Sequence, residues 1–179
     1  MAKAAVPDGG SRLGAKEIVV LGLLGAVLIV GKMALAGLPN IEPVSLLVMV
    51  YTVVLGRKAL FPVYVYVVME YLIWGINLWS LCYLYVWPVL AVAAYALRRM
   101  ESPVGWAVLS GGFGACFGAL CALAYLPLEG WGFALSWWIS GIPFDLLHCA
   151  GNFAMALVLF QPCKKVLSQL IRTVPALAA

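Results

Sequence analysis

The chain has 179 residues, 65% of them hydrophobic and 10% charged, with a mean hydropathy of +1.06. Soluble domains carry about 25% charged residues, so the composition excludes an ordinary soluble domain and indicates an integral membrane protein. Eleven Lys/Arg against seven Asp/Glu give a net charge of +4, too sparse and too scattered to track nucleic-acid phosphates, so nucleic acid is not the expected partner.

In chain order, residues 1–15 read as a flexible cytoplasmic tail carrying Pro7, Asp8, Gly9, Gly10 and Ser11. The first apolar stretch lacks the short core and small-residue cleavage site of a signal peptide and is expected to be retained. Crossing a hydrocarbon core of ~30 Å takes about 20 apolar residues per helix. Six spans are predicted: Glu17 to Leu38, Val44 to Leu55, Leu60 to Gly75, Leu78 to Leu97, Val104 to Leu126, and Phe133 to Phe160 with a bend at Pro143. The second is short and reads as tilted or packed inside the bundle. Turn residues separate them, among them Pro39-Asn40, Gly56, Gly75-Ile76-Asn77, Ser102-Pro103 and Glu129-Gly130. The predicted fold is thus an all-α, six-helix membrane domain over 16–163, followed by a cytoplasmic tail over 164–179.

Cations near helix ends are retained in the cytoplasm, and their distribution here is one-sided. Lys3, Arg12 and Lys16 precede span one, Arg57 and Lys58 join spans two and three, Arg98 and Arg99 join four and five, and Lys164, Lys165 and Arg172 follow span six. Both termini are therefore expected in the cytoplasm. Lys32 breaks the pattern, while the outer connections carry Glu42 and Glu129. The five cysteines are odd in number and four of them lie in apolar runs, so they read as packing residues.

Ionisable groups inside a membrane need a partner or a water-filled cavity. Lys32 and Glu70 both fall in the outer half of their spans and form a predicted pair. Asp145, His148 and Asn152 stand at i, i+3 and i+7, on one face of span six that must point into protein. That face serves either as the polar wall of a solute cavity or as an interhelical hydrogen-bond network. Trp74, Trp79, Tyr83, Tyr85, Trp131, Trp137 and Trp138 gather at the outer side, whereas an interfacial belt is two-sided. With Asn77 and the Lys/Glu pair beneath them, they favour an external small-molecule pocket. Asn40 and Glu42 lie in a candidate lid loop. The predicted substrate-binding set is therefore Lys32, Asn40, Glu42, Glu70, Trp74, Asn77, Trp79, Tyr83, Trp137, Asp145, His148 and Asn152. In span five, Ser110, Gly114, Gly118 and Ala122 recur every four residues beside Gly111, Ala115 and Ala119, a stripe that permits close helix packing. Gly22 and Ala26 of span one form a second small-residue surface, suited to a membrane partner.

These residues resemble the S components, the substrate-binding membrane subunits, of energy-coupling factor (ECF) vitamin transporters. The resemblance is carried by Leu38-Pro39-Asn40-Ile41-Glu42-Pro43-Val44, by Glu70 with Trp74-Gly75, and most specifically by Gly141-Ile142-Pro143-Phe144-Asp145-Leu146-Leu147-His148 continuing to Gly151-Asn152. It covers the chain after the tail. It implies a multi-pass protein of a bacterial or archaeal plasma membrane that captures a vitamin or cofactor precursor from outside. The implied partners are a T component and two cytoplasmic ATPases, since this chain has no Walker-type loop of its own. The family's docking pattern, Ala-x-x-x-Ala, is met here by Gly22 and Ala26, with Gly in place of the first Ala. The resemblance implies no enzymatic activity, and no cofactor or metal is expected. Two other readings are a stand-alone proton-coupled transporter with Glu70, Asp145 and His148 as relay, and an intramembrane enzyme using Asp145 and His148 as acid and base.

Overall fold

The structure, a computed structural model, describes residues 13–38 and 40–177. Most of the predicted N-terminal tail, and Pro39 of the predicted lid loop, lie outside the described residues. Seven α-helices follow one another: α1 (Ala15–Ala34), α2 (Val44–Leu55), α3 (Leu60–Trp74), α4 (Leu78–Leu81), α5 (Tyr83–Ala96), α6 (Pro103–Ala122) and α7 (Leu126–Ile171). Short 3₁₀ turns occupy Gly56–Ala59, Leu123–Tyr125 and Pro175–Leu177, and there is no strand among the described residues.

Local chemistry sets most of the boundaries. Asn77 caps α4 by accepting from Ser80 N–H, and Ser80 returns the bond by accepting from Asn77 N–H, each at 2.9 Å. Ser102 caps α6 through Gly105 N–H, with Pro103 in the first helical position. Gly75 ends α3 at φ 80°, a conformation that favours glycine. Between α2 and α3 the helical path is interrupted at Gly56, with φ 59°.

Four stretches are long and apolar enough to cross a membrane, rather than the six expected: Ala15–Ala34, Val44–Trp74, Leu78–Ala96 and Pro103–Ile171. The difference has a physical cause. The turns expected to separate spans two and three, and five and six, are very short: helical residues flank a single non-helical glycine, Gly56 in one and Gly130 in the other, so each pair of neighbouring helices forms one continuous apolar stretch with a sharp turn inside it. The last helix departs further from expectation. Gly130, at φ 76° and ψ 176°, breaks the helical path near the start of α7; beyond it Pro143 and Pro162 lie within the helix, which continues through Lys164 and Lys165 to Ile171. Leu167 and Ile171 in that final segment, and Leu177 in the 3₁₀ turn after it, are buried. In contrast α1 stops at Ala34, earlier than expected, and Leu35 to Leu38 form turns.

Helix directions follow from paired residues. The Tyr51 hydroxyl donates to Leu24 C=O and Lys58 meets Glu17, so α2 runs antiparallel to α1. Gly25 of α1 lies against Pro62 and Val65 of α3, and Lys32 meets Glu70, so α1 and α3 are parallel. Gly111, Gly114 and Gly118 of α6 face Phe153, His148 and Asp145 of α7 in turn, an antiparallel pair in which missing side chains let the backbones meet. Helix α2 is the central column, with nine of its twelve residues buried. Its Met49 and, around it, Leu28, Trp87, Leu90, Trp106 and Phe160 fill the interior, and Trp106 stacks on Phe160 at 4.3 Å. The outer surface is apolar, as Ile18, Leu23, Val30, Leu72, Val92, Val108, Leu146 and Val158 illustrate. Such a surface is compatible with lipid surroundings.

Candidate functional site: a charged cavity at one end of the bundle

A partly open cavity of about 750 Å³ lies where the C-terminal ends of α1, α3 and α6 meet α4, the start of α5 and the first half of α7. Eleven of the twelve predicted binding residues line it: Lys32, Asn40, Glu42, Glu70, Trp74, Asn77, Trp79, Tyr83, Trp137, Asp145 and His148. Asn152 does not. It is buried below, donating to Ser45 Oγ at 3.0 Å and Ser110 C=O at 3.3 Å, and so ties α7 to α2 and α6. Of the two roles open to that helical face, the upper part is cavity wall and the lower part is packing.

On the wall made by α1 and α3, Lys32 Nζ lies 2.6 Å from Glu70 Oε2 and 3.4 Å from the Tyr83 hydroxyl. The ammonium also sits 5.3 Å and 5.9 Å from the ring centres of Tyr83 and Tyr66, within cation–π range. Glu42 joins this group from the loop preceding α2. Burial pushes its carboxyl above the ordinary 4.5; Lys32 opposes that shift and Glu70 reinforces it.

Helix α7 builds the facing wall. Gly118 has no side chain, which lets Asp145 reach the α6 backbone and accept from Gly118 N–H at 2.9 Å. Asp145 Oδ2, His148 Nε2 and, across the cavity, Glu70 Oε1 are buried without a protein partner. Aromatic faces connect the walls. Trp79 lies 5.4 Å from Trp137 and 6.0 Å from Phe117, and Phe117 meets His148 edge-on at 4.8 Å. Asn40, at φ 54°, donates to Phe144 C=O at 3.0 Å and draws the α1–α2 loop against α7.

Phe117, Gly118, Ser80, Gly141 and Phe144 also line the cavity, though the binding set drawn from the sequence omits them. Gly118 carried a signal in its four-residue spacing, whereas one Phe in an apolar helix carried none. The exposed Trp131 and Trp74 belong to the outer aromatic group, but only Trp74 lines the cavity. Among the described residues no three His, Cys, Asp or Glu side chains gather as a metal site. Gly22 and Ala26 lie on the outward side of α1, and nothing stands within 4 Å of a Cβ placed on Gly22. No protein-family model, curated protein or solved structure matches this chain.

Proposed function

We propose that the protein is a membrane receptor that captures a small vitamin-like molecule for an ATP-driven importer, in the manner of an ECF S component. The observation that carries this reading is the partly open cavity at one end of the bundle. Directed polar groups and flat aromatic faces surround it, and the packed apolar core of Met49, Trp87, Leu90 and Phe160 lies deeper in the bundle. A site of this form binds well but offers no route through the protein. Release on the other side then needs a coupled subunit that favours a weaker-binding state.

In this reading the bundle crosses the bilayer six times, because the stretches Val44–Trp74 and Pro103–Ile171 each fold back on themselves, as the helix directions support. Their combined length points the same way: 69 residues in the last stretch would reach ~100 Å if straight, against a core of ~30 Å. Arg57, Lys58, Arg98, Arg99, Lys164 and Lys165 belong to the end away from the cavity, which makes that end cytoplasmic and opens the cavity outward. The outward small-residue face at Gly22 and Ala26 is the docking surface for the T component, and the loop held by Asn40 is the lid.

Reconstitution tests the reading. The chain co-assembled with a T component and two ATPases should take up solute only with ATP, and Gly22→Trp or Ala26→Trp should prevent assembly while sparing ligand binding. Uptake by this chain alone, driven by a pH gradient in liposomes, would replace the receptor with a proton-coupled transporter whose relay is Glu70, Asp145 and His148. The enzyme reading has less support, since the Asp145 carboxylate is held by Gly118 and makes no hydrogen bond to His148.

A further inference from the structure

The charges lining the cavity do not balance. Lys32 is the sole cation among the described lining residues, and it is committed to Glu70. Glu42 stands two residues before α2, where the positive end of that helix, equivalent to roughly half a charge, offsets it in part. Asp145 has no cation among its hydrogen-bond and ion-pair partners; its support comes from neutral groups, the Gly118 backbone N–H and the Trp138 side chain. If all three carboxyls ionise, the site holds one positive and three negative side chains in surroundings where uncompensated charge is costly.

The unpartnered atoms point the same way. Glu70 is 5% exposed, Asp145 6% and His148 3%, yet Glu70 Oε1, Asp145 Oδ2 and His148 Nε2 lack protein partners. Two of these are carboxylate oxygens, able only to accept when ionised, and the imidazole nitrogen can accept or donate. Buried acceptors are rarely left empty, because the desolvation they suffer is repaid only by a donor. Between them lie Trp79, Tyr83, Phe117 and Trp137, whose faces suit a flat ring and attract positive charge.

We infer that the ligand is a planar aromatic cation whose charge sits on an N–H-bearing group, such as an amidinium or a protonated aminoheterocycle, with its N–H bonds directed at the open carboxylate oxygens and its ring against the aromatic faces. This inference rests on the receptor reading and adds the sign of the ligand's charge to it. A carboxylate or phosphate ligand would add negative charge to a site already rich in carboxyl groups and leave the spare acceptors empty.

Three isosteric probes test the inference by calorimetric titration of the purified full chain at neutral pH: naphthalene-2-carboxamidine, naphthalene-2-carboxamide and naphthalene-2-carboxylate. The amidine should bind about tenfold more tightly than the amide, the margin expected when neutral hydrogen bonds become charge-assisted ones, and the carboxylate should bind most weakly. Asp145→Asn keeps an oxygen for Gly118 N–H and Glu42→Gln keeps the loop's shape; either should shrink the preference for the amidine over the amide. Equal or tighter binding of the carboxylate or amide overturns the charge inference and leaves the receptor reading standing, as does a preference unchanged in both variants. Failure of all three probes to bind overturns the inference as well, and the receptor reading is then decided by the reconstitution alone.

Discussion

Removal of Lys32 tests the electrostatics of the cavity wall most directly. Glu70 Oε2 is satisfied by Lys32 at 2.6 Å and Glu70 Oε1 has no protein partner, so Lys32→Met leaves a buried carboxylate with nothing to compensate it. Breaking a buried pair from one side costs about 3–5 kcal/mol. The reverse change is milder. In Glu70→Gln the ammonium, whose side chain is 24% exposed, keeps access to cavity water, the Tyr83 hydroxyl and two aromatic faces, and the amide can still accept a hydrogen bond. We expect a loss of about 1–3 kcal/mol there. Lys32→Met combined with Glu70→Met should recover most of the larger loss, because a desolvated pair replaced by apolar side chains is often neutral. Reversible unfolding of the purified protein in mixed micelles, run as a double-mutant cycle, measures all three. Lys32→Met within about 0.5 kcal/mol of the unmodified protein, or a double variant no more stable than the weaker single one, would refute the reasoning.

Two predictions concern the packing of the bundle and the α1–α2 loop. A Cβ on Gly114 would lie 2.8 Å from the backbone of His148 and Cys149, so Gly114→Ala should destabilise by about 1–3 kcal/mol. Gly112, with nothing within 4 Å of an added Cβ, should gain up to about 1 kcal/mol as alanine from helix propensity alone; thermal melts of the two variants should move in opposite directions. Because burial raises the Glu42 carboxyl above 4.5, the folded protein keeps a proton that the unfolded chain has lost. Stability of the ligand-free protein should then fall as pH rises from the ordinary carboxyl range through the folded value. Melting temperature followed from about pH 4 to pH 7 should show this fall, and Glu42→Gln should flatten it.

What could be read from the sequence depended on whether a residue's type constrained its surroundings. The bounds of α2, Val44 and Leu55, coincide with the prediction because Pro43 and Gly56 punctuate both ends. Lys32 and Glu70 were paired in advance by the cost of an isolated charge, and the structure places them in contact. Where residues are merely apolar, that constraint disappears. Nothing in the composition of α6 told which of its phenylalanines would turn toward His148, and Phe117 does. Pro143 was expected to lie inside the last span, and it does; what the sequence did not show is that the helix extends well beyond the last expected apolar position, to Ile171. Asn152 shares its helical face with Asp145 and His148, but helical periodicity says nothing of depth, and seven residues of rise from Asp145 take it ~10 Å farther along the axis, to the level of Ser45.

The brevity of α2 has a geometric consequence. Twelve residues rise ~18 Å, against ~30 Å for the twenty residues of the antiparallel α1. A helix of that length on the periphery would thin the bilayer around it, but this one is enclosed by the bundle and escapes the mismatch. The shortfall reappears as unfilled height above Val44, bounded by the loop and the taller helices. The hollow is thus an architectural vacancy left by an undersized pillar, and inserting one helical turn ahead of Val44 should plug it while leaving the apolar outer surface unchanged.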